Sequence, residues 1–268
     1  MCHGLDFDPV RARGALLPQL TEALGDGLVP VISKERLSGS PHSGGYDSKS
    51  IADRLAAVFD AARVLICVRE QRSIIASTFK QYVRAGGPLP LARYLHPPRA
   101  GSRKLPMFRF DHFEYDRLVA HYMRLFGSEH VLVIPYELLV LDAESFMASI
   151  LEFAGARAPK GALQALPYSV RRKQALSGVG TSALRQLNRF IRPSRLNPAP
   201  LFPLTNAEEL TSRVSASIAA GTPDRLERIL DRRLRQAIEA EVGDRYRDSN
   251  RRLRELTGLT LEQLGYPL

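Results

Sequence analysis

The 268-residue sequence has only two cysteines, and it has no hydrophobic run of membrane-spanning length. Cys2 and Cys67 cannot form a disulfide framework, so both are expected to be reduced thiols of a cytoplasmic protein. The longest apolar stretch, around residues 131 to 141, is interrupted by Pro135 and Glu137 and falls far short of the ~20 residues that cross a bilayer. The start shows no signal sequence with basic, apolar and small-residue regions.

Metal ligands are equally scarce. Three histidines, His112, His121 and His130, are spaced nine apart, but the first two lie on one predicted helix and the third begins a strand. This spacing gives no metal-binding geometry, and two cysteines make a zinc site untenable. We therefore predict no metal and interpret these histidines as structural or surface residues.

Positive charge, by contrast, is in excess. The formal net charge is +10 and the pI is near 9.9, which indicates an anionic partner without deciding between nucleotide, sulfated glycan, nucleic acid and lipid headgroup. Nucleic acid ranks low because the basic residues are dispersed and few aromatic residues interleave with them. Length and a hydrophobic fraction of 44% favour one domain, with an α/β core over residues 1–160 and a mainly helical portion over 161–268.

The chain is organised around RVLICVREQRSIIASTFKQYVRAGG, residues 63 to 87. Val64 to Val68 forms a short β-branched apolar run that predicts a buried parallel strand. Polar residues from Arg69 to Arg72 follow, and apolar residues then recur at helical spacing from Ile74. This pattern predicts a strand, a turn and a helix, with arginines at the carboxyl end of the strand, where open α/β sheets bind ligands.

The flanking segments extend this pattern into a parallel α/β layer fold with a sheet flanked by helices. Two further strands are predicted, at Leu28 to Ile32 (LVPVI) and at His130 to Ile134, and the segment 38 to 46 is expected to be a flexible loop. Five helices with apolar core faces are predicted. Asp8 would cap the first, over 9–24; Asp47 would cap the second; and Asp142 would cap the fourth, which runs to 153. The third is predicted over 113–126 and the fifth over 224–256.

Arg69 and Ser77 lie eight positions apart, so a strand, turn and helix could bring both side chains to one anion. Arg72, in the first turn of the same helix, would add positive charge. The alternative is that Arg69 only covers the sheet edge and Ser77 is a small packing residue.

Three segments resemble the sulfotransferase family. VREQRSIIASTFKQYVR, Val68 to Arg84, is similar to the family's 3′-phosphate-binding segment, in which an arginine ends a strand and a serine follows eight residues later. VLVIPYELLVLDAESFMASILEF, Val131 to Phe153, resembles the family's next strand, Tyr-Glu-x-Leu turn and helix. SNRRLRELTGLTLEQLGYP, Ser249 to Pro267, looks like the tail of bacterial members.

The resemblance implies transfer of a sulfuryl group from 3′-phosphoadenosine 5′-phosphosulfate (PAPS) to a hydroxyl of a small molecule or glycan, with a carbohydrate as one candidate, and adenosine 3′,5′-bisphosphate as product. It implies that Arg69 and Ser77, with Arg72 nearby, hold the 3′-phosphate. A basic loop that closes over this phosphate would correspond to Arg171, Arg172 and Lys173, which could equally be a solvated basic surface.

The resemblance also places the acceptor base after the strand that precedes the arginine strand. Glu35 is the first choice there, and Lys34 would steady the transferring group or lower the carboxylate pKa. The alternative is a solvated Lys-Glu pair. His42, in the same loop, is the competing base because histidine titrates near neutrality.

One family feature has no counterpart: the first strand with its glycine-rich phosphate loop for the 5′-phosphosulfate. SGSPHSGG, residues 38 to 45, lacks a preceding buried strand and a following Gly-Lys-Ser/Thr. The expected architecture is therefore a P-loop-like sulfotransferase fold that lacks its N-terminal strand. Three explanations are open: the start is misassigned or the chain trimmed, the protein is an inactive relative, or a partner completes the site. If the chain is whole, we expect weak or no transfer, and a non-catalytic nucleotide- or anion-binding relative is the alternative function.

Overall fold

The computed structural model describes residues 6–97, 107–159, 161–168 and 176–268, and within them a two-stranded sheet is surrounded by helices. The strands are β1 (Val64–Val68) and β2 (Val131–Pro135). The helices are α1 (Pro9–Gly25), α2 (Ser48–Val58), α3 (Gln71–Arg84), α4 (Leu91–Leu95), α5 (Tyr115–Phe126), α6 (Tyr136–Leu141), α7 (Ala143–Ala154), α8 (Gly178–Ile191), α9 (Ala207–Ala220), α10 (Asp224–Val242) and α11 (Arg247–Thr257).

The two strands run parallel, with Val64 opposite Val131 and Val68 opposite Pro135. A parallel pair needs a long crossover, which α3 to α5 supply between the strands. Both strands are apolar and rich in β-branched residues, which suits a pleated, buried surface. The predicted α/β class and the presence of these two strands are therefore confirmed, but β1 is not buried throughout as predicted, because Leu65 is 43% exposed and Cys67 is also exposed. The aligned register sets Arg69 beside Tyr136 where the strands end.

The third predicted strand, Leu28 to Ile32, is wrong. This segment is coil, and Leu28 and Val31 are 60% and 79% exposed. Pro30 has no N–H to donate to a ladder, and no neighbouring strand in the described chain pairs with the segment. β-branched composition alone therefore does not produce a strand when pairing and burial are both missing.

Helix α1 forms where it was predicted and contacts α2, but much of its apolar face is exposed. Asp8 caps it, accepting hydrogen bonds from the backbone N–H of Val10 (2.8 Å) and Arg11 (3.3 Å). None of its residues is buried, and Val10 and Leu24 are 79% and 62% exposed. The local capping signal was thus sufficient to predict the helix but not its tertiary contact.

The segment predicted as a flexible loop is instead folded into short 3₁₀ turns, Glu35–Ser38 and Pro41–Ser43. Gly45 has φ +62°, and a Cβ there would lie 2.2 Å from His112 Nδ1. Glycine is therefore favoured at this position for two reasons: the backbone is left-handed, and the His112 ring occupies the space where a Cβ would lie. The turns place this segment against the start of α5.

The long helix predicted over 224–256 is wrong as one element, because it breaks between α10 and α11. Gly243 lies at the break with φ 47° and ψ −129°, a conformation that residues with a Cβ avoid. The break lets α11 turn and pack on α5, where Asp116 accepts hydrogen bonds from Ser249 and, at 2.6 Å, from Arg252. One core cluster runs from Ala52 to Tyr266 and includes residues of both the strand-containing and the helical portions.

Two negative findings apply to the part of the chain that the structure describes. No strand occurs there beyond residue 160 apart from an isolated bridge between Ser194 and Asn197, as the sequence predicted. None of the described helices is both long enough and apolar enough to cross a membrane.

Candidate functional site

Arg69 lies at the carboxyl end of β1 and is held by two neighbours. Its Nε donates a hydrogen bond to Ser73 Oγ at 3.0 Å, and its guanidinium lies 4.8 Å from the centroid of the Tyr136 ring, in cation–π contact. No acidic side chain among the described residues forms an ion pair with Arg69. The side chain is thus oriented while its charge remains available to an anion.

Ser77 lies one helical turn after Ser73 on α3 and is half-buried. Residues four apart on a helix share a face, so both hydroxyls lie on the same side of α3. From the sequence Ser77 was predicted to act with Arg69 on one anion, whereas the hydroxyl that contacts Arg69 belongs to Ser73. The spacing of four between Arg69 and Ser73 could have indicated Ser73, and the assigned role of Ser77 stays a prediction.

Glu137 fastens the turn that follows Arg69. Its Oε1 accepts a hydrogen bond from the Glu70 backbone N–H at 2.9 Å, and its Oε2 accepts one from the Tyr266 hydroxyl at 3.1 Å. The Tyr115 hydroxyl donates to the Arg69 carbonyl at 2.8 Å. Contacts from β2's end, the chain terminus and α5 therefore fix the backbone on which Arg69 is mounted.

The amino terminus of α3 is already occupied by a carboxylate. Glu70 accepts hydrogen bonds from the backbone N–H groups of Arg72 (3.1 Å) and Ser73 (2.9 Å). Helix amino termini commonly bind anions, but here the capping side chain takes that place. An external anion at this tip must therefore be held mainly by side chains.

All three guanidinium nitrogens of Arg72 contact other residues of the protein. Its Nε donates to Glu70 Oε1 at 2.7 Å, Nη1 lies 3.3 Å from Glu239 Oε1, and Nη2 donates to the Gly265 carbonyl at 3.0 Å. The hydrogen bond that Arg72 donates to Glu70 raises the pKa of Arg72, so the guanidinium stays charged. Two carboxylates offset that charge, which leaves Arg69 as the less compensated arginine.

The residues predicted as acceptor base lie apart from these contacts. Lys34 and Glu35 are exposed at the start of the first 3₁₀ turn, and neither makes an ion pair or side-chain hydrogen bond with the described part of the chain. Because Leu28 to Ile32 is not a strand, Glu35 does not stand at a strand end. Its role stays a prediction.

His42 is held in an aromatic pocket. Its Nδ1 lies 3.1 Å from the Tyr94 hydroxyl, and its ring packs against Tyr82 and Tyr94. Burial, with smaller contributions from Arg36 and His112, lowers the pKa of His42 to about 4. The imidazole is therefore neutral at pH 7, which permits proton acceptance but makes it a weak base.

A cleft of about 330 Å³, lined mostly by residues with polar or charged side chains, lies between the 3₁₀ turns and α5. Ser48, Gly45, His112 and His121 are among its lining residues. His112 has a lowered pKa because it is largely shielded from solvent, and the carboxylate of Asp47 acts in the opposite direction. From the sequence both histidines were predicted to be structural or surface residues, and no local pattern indicated that folding would bring them to one cleft.

Asp47 was predicted as a helix cap, and it holds the N-cap position of α2 without a capping hydrogen bond. Its Oδ1 instead accepts from the Ser40 N–H at 3.3 Å, and Arg36 Nη2 lies 3.9 Å from Oδ2. The side chain is buried, and Oδ2 has no hydrogen-bond partner. Asp47 therefore organises the turns that form one wall of the cleft.

Arg171, Arg172 and Lys173 lie outside the described residues, so their predicted role stays a prediction. No cluster of three or more potential metal-ligating side chains occurs in the described ranges.

A comparison with known protein families matched one segment of the chain. Residues 49–160 match a family model described as the sulfotransferase family. The match runs from α2 to just beyond α7, includes Arg69, Ser73, Ser77 and Glu137, and confirms the resemblance over that segment. Searches among curated proteins and among solved structures gave no match. A sulfotransferase-like function is thereby supported.

Proposed function

We propose that the turn after β1 binds the 3′-phosphate of PAPS and that the protein transfers the sulfuryl group to a hydroxyl acceptor. The observation that carries this proposal is the oriented guanidinium of Arg69, held by Ser73 and Tyr136 within the segment that matches the sulfotransferase family. A planar guanidinium donates two parallel hydrogen bonds to phosphate, which suits this role.

The hydroxyls of α3 complete the proposed phosphate site. Ser73 orients Arg69, and Ser77, one turn farther along, offers a second donor on the same helix face. The hydrogen bonds of Glu137, Tyr266 and Tyr115, called here the clamp, keep the turn in place before ligand arrives. Preorganisation of this kind reduces the ordering cost of binding.

In the proposed reaction the acceptor oxygen attacks the sulfur and forms a new S–O bond. The bond between sulfur and the bridging phosphate oxygen breaks, and its electron pair leaves with adenosine 3′,5′-bisphosphate. The acceptor proton passes to a base, for which Glu35 remains the first candidate and His42 the second, and Lys34 would steady the developing charge. Burial lowers the pKa of His42 to about 4, which makes its imidazole a weak base.

The second candidate function is binding of the nucleotide without transfer. Among the described residues no strand leads into a glycine-rich phosphate loop, and the amino terminus of α3 is capped by Glu70. These observations favour recognition of the 3′-phosphate over recognition of the 5′-phosphosulfate. A carbohydrate hydroxyl remains our proposed acceptor for the transferring form.

Calorimetric titration with adenosine 3′,5′-bisphosphate tests the proposal. We expect wild type to bind, Arg69→Ala to lose at least about tenfold in affinity, and Arg69→Lys to recover only part of it, because lysine lacks the planar fork. Arg63→Ala is the matched control: Arg63 lies at the opposite end of β1, is exposed, and donates to the Phe153 carbonyl at 2.7 Å.

Absence of binding by wild type, or equal binding by Arg69→Ala, would contradict the assignment. Transfer is measured separately, as movement of labelled sulfate from PAPS to small-molecule and glycan hydroxyls. Binding that depends on Arg69 without any transfer would select the second candidate function.

A further inference from the structure

The loop between α8 and α9 exposes a cluster of large apolar side chains, called here the apolar loop patch. Its members are Phe190 at the end of α8 and Leu201, Phe202 and Leu204 on the loop, which are 42%, 59%, 67% and 45% exposed. The backbone N–H groups of the three loop members donate to the carbonyls of Arg189 (3.3 Å), Phe190 (2.7 Å) and Ile191 (3.1 Å). These carbonyls end α8 and would otherwise lack a helical partner, so the loop backbone is fixed while its apolar side chains stay in solvent.

The chain around this patch carries charge of one sign. Residues 153–207 contain nine of the 38 Lys and Arg residues and none of the 28 Asp and Glu residues, so this segment accounts for nearly all of the net charge of +10. Arg189 and Arg195 are exposed beside the patch, and the Arg189 guanidinium lies 5.9 Å from the centroid of the Phe190 ring. Neither arginine makes an ion pair within the part of the chain that the structure describes.

The acidic residues that follow the loop do not cancel this charge. Glu208 and Glu209 lie in the first turn of α9. Glu208 pairs with the buried Arg192 at 2.8 Å, and Glu209 lies 3.7 Å from Arg213. Each carboxylate is thus offset by an arginine of its own, and the charges of the two exposed arginines beside the patch remain.

The size and charge of the patch distinguish between possible partners. Four large side chains that are about half exposed offer roughly 300 Å² of apolar surface, well below the roughly 800 Å² that each side of a stable protein interface buries. A second copy of the chain would also bring like charges together. Single-stranded nucleic acid would stack on the two phenylalanines but leave the two leucines in water. Apolar side chains flanked by arginines match the boundary between headgroups and acyl chains of an anionic bilayer.

We propose that the apolar loop patch binds the surface of an anionic lipid bilayer without spanning it. The patch enters the headgroup region, and Arg189 and Arg195 bind the phosphate or carboxylate groups of the lipids. The loop lies near the carboxyl end of α3, because Arg192 donates to the Arg84 carbonyl at 2.8 Å, whereas Arg69 precedes the amino end. This helix of 14 residues is about 20 Å long, so the two sites are separate and the proposal does not depend on sulfuryl transfer.

The test measures binding to sedimented vesicles of phosphatidylcholine alone and of phosphatidylcholine mixed with phosphatidylserine. The apolar variant is Leu201→Ser with Phe202→Ser. Its matched control is Val140→Ser with Leu141→Ser at the end of α6, where the two side chains are 62% and 71% exposed.

The charge variant is Arg189→Gln with Arg195→Gln. Its control of equal charge is Arg247→Gln with Arg251→Gln on α11, where both side chains are about half exposed. Each protein is measured at low and at high salt.

We expect wild type to bind the mixed vesicles at least about tenfold more tightly than the neutral vesicles, because the arginines attract anionic lipid. On the mixed vesicles the apolar variant should lose about tenfold or more, whereas its control should stay within about threefold. The charge variant should also lose about tenfold against a control within about threefold, and this difference should shrink at high salt, where charge is screened.

Equal losses in a variant and its control would show a dependence on exposed apolar area or net charge alone and overturn the proposal. Absence of binding to the mixed vesicles by wild type would reject it, whatever the bisphosphate titration shows. An apolar variant that loses affinity for a single-stranded oligonucleotide but not for the vesicles would overturn the choice of a bilayer, as would a wild-type dimer that this variant abolishes.

Discussion

Tyr266 offers the sharpest test of how the candidate site is held. The residue is 3% exposed, and its hydroxyl donates to Glu137 Oε2, while Glu137 Oε1 accepts the Glu70 N–H. Tyr266→Phe removes a single oxygen atom and leaves the packing of the ring unchanged. It should free one side of the Glu137 carboxylate and loosen its hold on the turn that carries Arg69.

The magnitude follows from the chemistry of the bond. A hydrogen bond to a charged group contributes about 1.5–3 kcal/mol, and a half-buried carboxylate recovers part of that loss from water. We therefore expect Tyr266→Phe to lower the free energy of unfolding by about 2 kcal/mol, which corresponds to a fall in Tm of roughly 4–8 °C for a chain of this size. Burial, reinforced by Glu137, raises the pKa of Tyr266, so the phenol stays protonated and keeps donating at high pH.

Tyr246→Phe is the matched control, because it removes a buried tyrosine hydroxyl that donates to the Phe110 carbonyl at 2.9 Å away from the turn. Both variants should lose stability in thermal melts. Only Tyr266→Phe should speed hydrogen exchange of the Glu70 amide and weaken adenosine 3′,5′-bisphosphate binding. Unchanged exchange at Glu70, or an equal change in the two variants, would refute the proposed clamp.

Two further predictions concern the turns before α2. Gly45→Ala should lower the free energy of unfolding by about 2 kcal/mol or more, because a φ of +62° and the 2.2 Å approach to His112 Nδ1 both disfavour a Cβ. Gly14→Ala in α1, where the space around the residue is open, should raise the free energy of unfolding by about 0.5–1 kcal/mol. Chemical denaturation measures both changes, and a neutral Gly45→Ala would contradict the packing. His42 has an ordinary pKa of 6.5 that burial lowers to about 4, so the unfolded chain binds the proton first and stability should fall, by at most about 3 kcal/mol, as pH drops from 6.5 to 4. His42→Gln should flatten this pH dependence in chemical denaturation measured between pH 4 and pH 7, and an unchanged slope would refute the assignment.

Local signals predicted much of the secondary structure. Asp8 and Asp142 both cap helices as expected, because a cap depends on residues within one turn. Val64 to Val68 and His130 to Ile134 were recognisable because each is a short apolar run rich in β-branched residues, although Leu65 and Cys67 of the first run are exposed. Leu28 to Ile32 shares that composition and failed, since pairing with a neighbour is a tertiary property that composition does not encode.

The candidate site was predictable only in part for the same reason. Arg69 was found because it directly follows a strand, and the resemblance to a family assigned it a role. Its contacts with Tyr136 and, through the clamp, Tyr266 depend on the parallel register and on where the chain terminus packs. Those positions are 67 and 197 residues away in the sequence, and no local pattern connects them.

The capping of α3 has a consequence for how the site must work. Since Glu70 occupies the backbone N–H groups of Arg72 and Ser73, a bound phosphate gains little from the helix amino terminus. Arg72 is offset by Glu70 and Glu239, so Arg69 carries most of the attraction at short range. Binding at this tip should therefore depend steeply on one guanidinium and on the contacts that orient it, which makes the backbone clamp as important to affinity as the arginine itself.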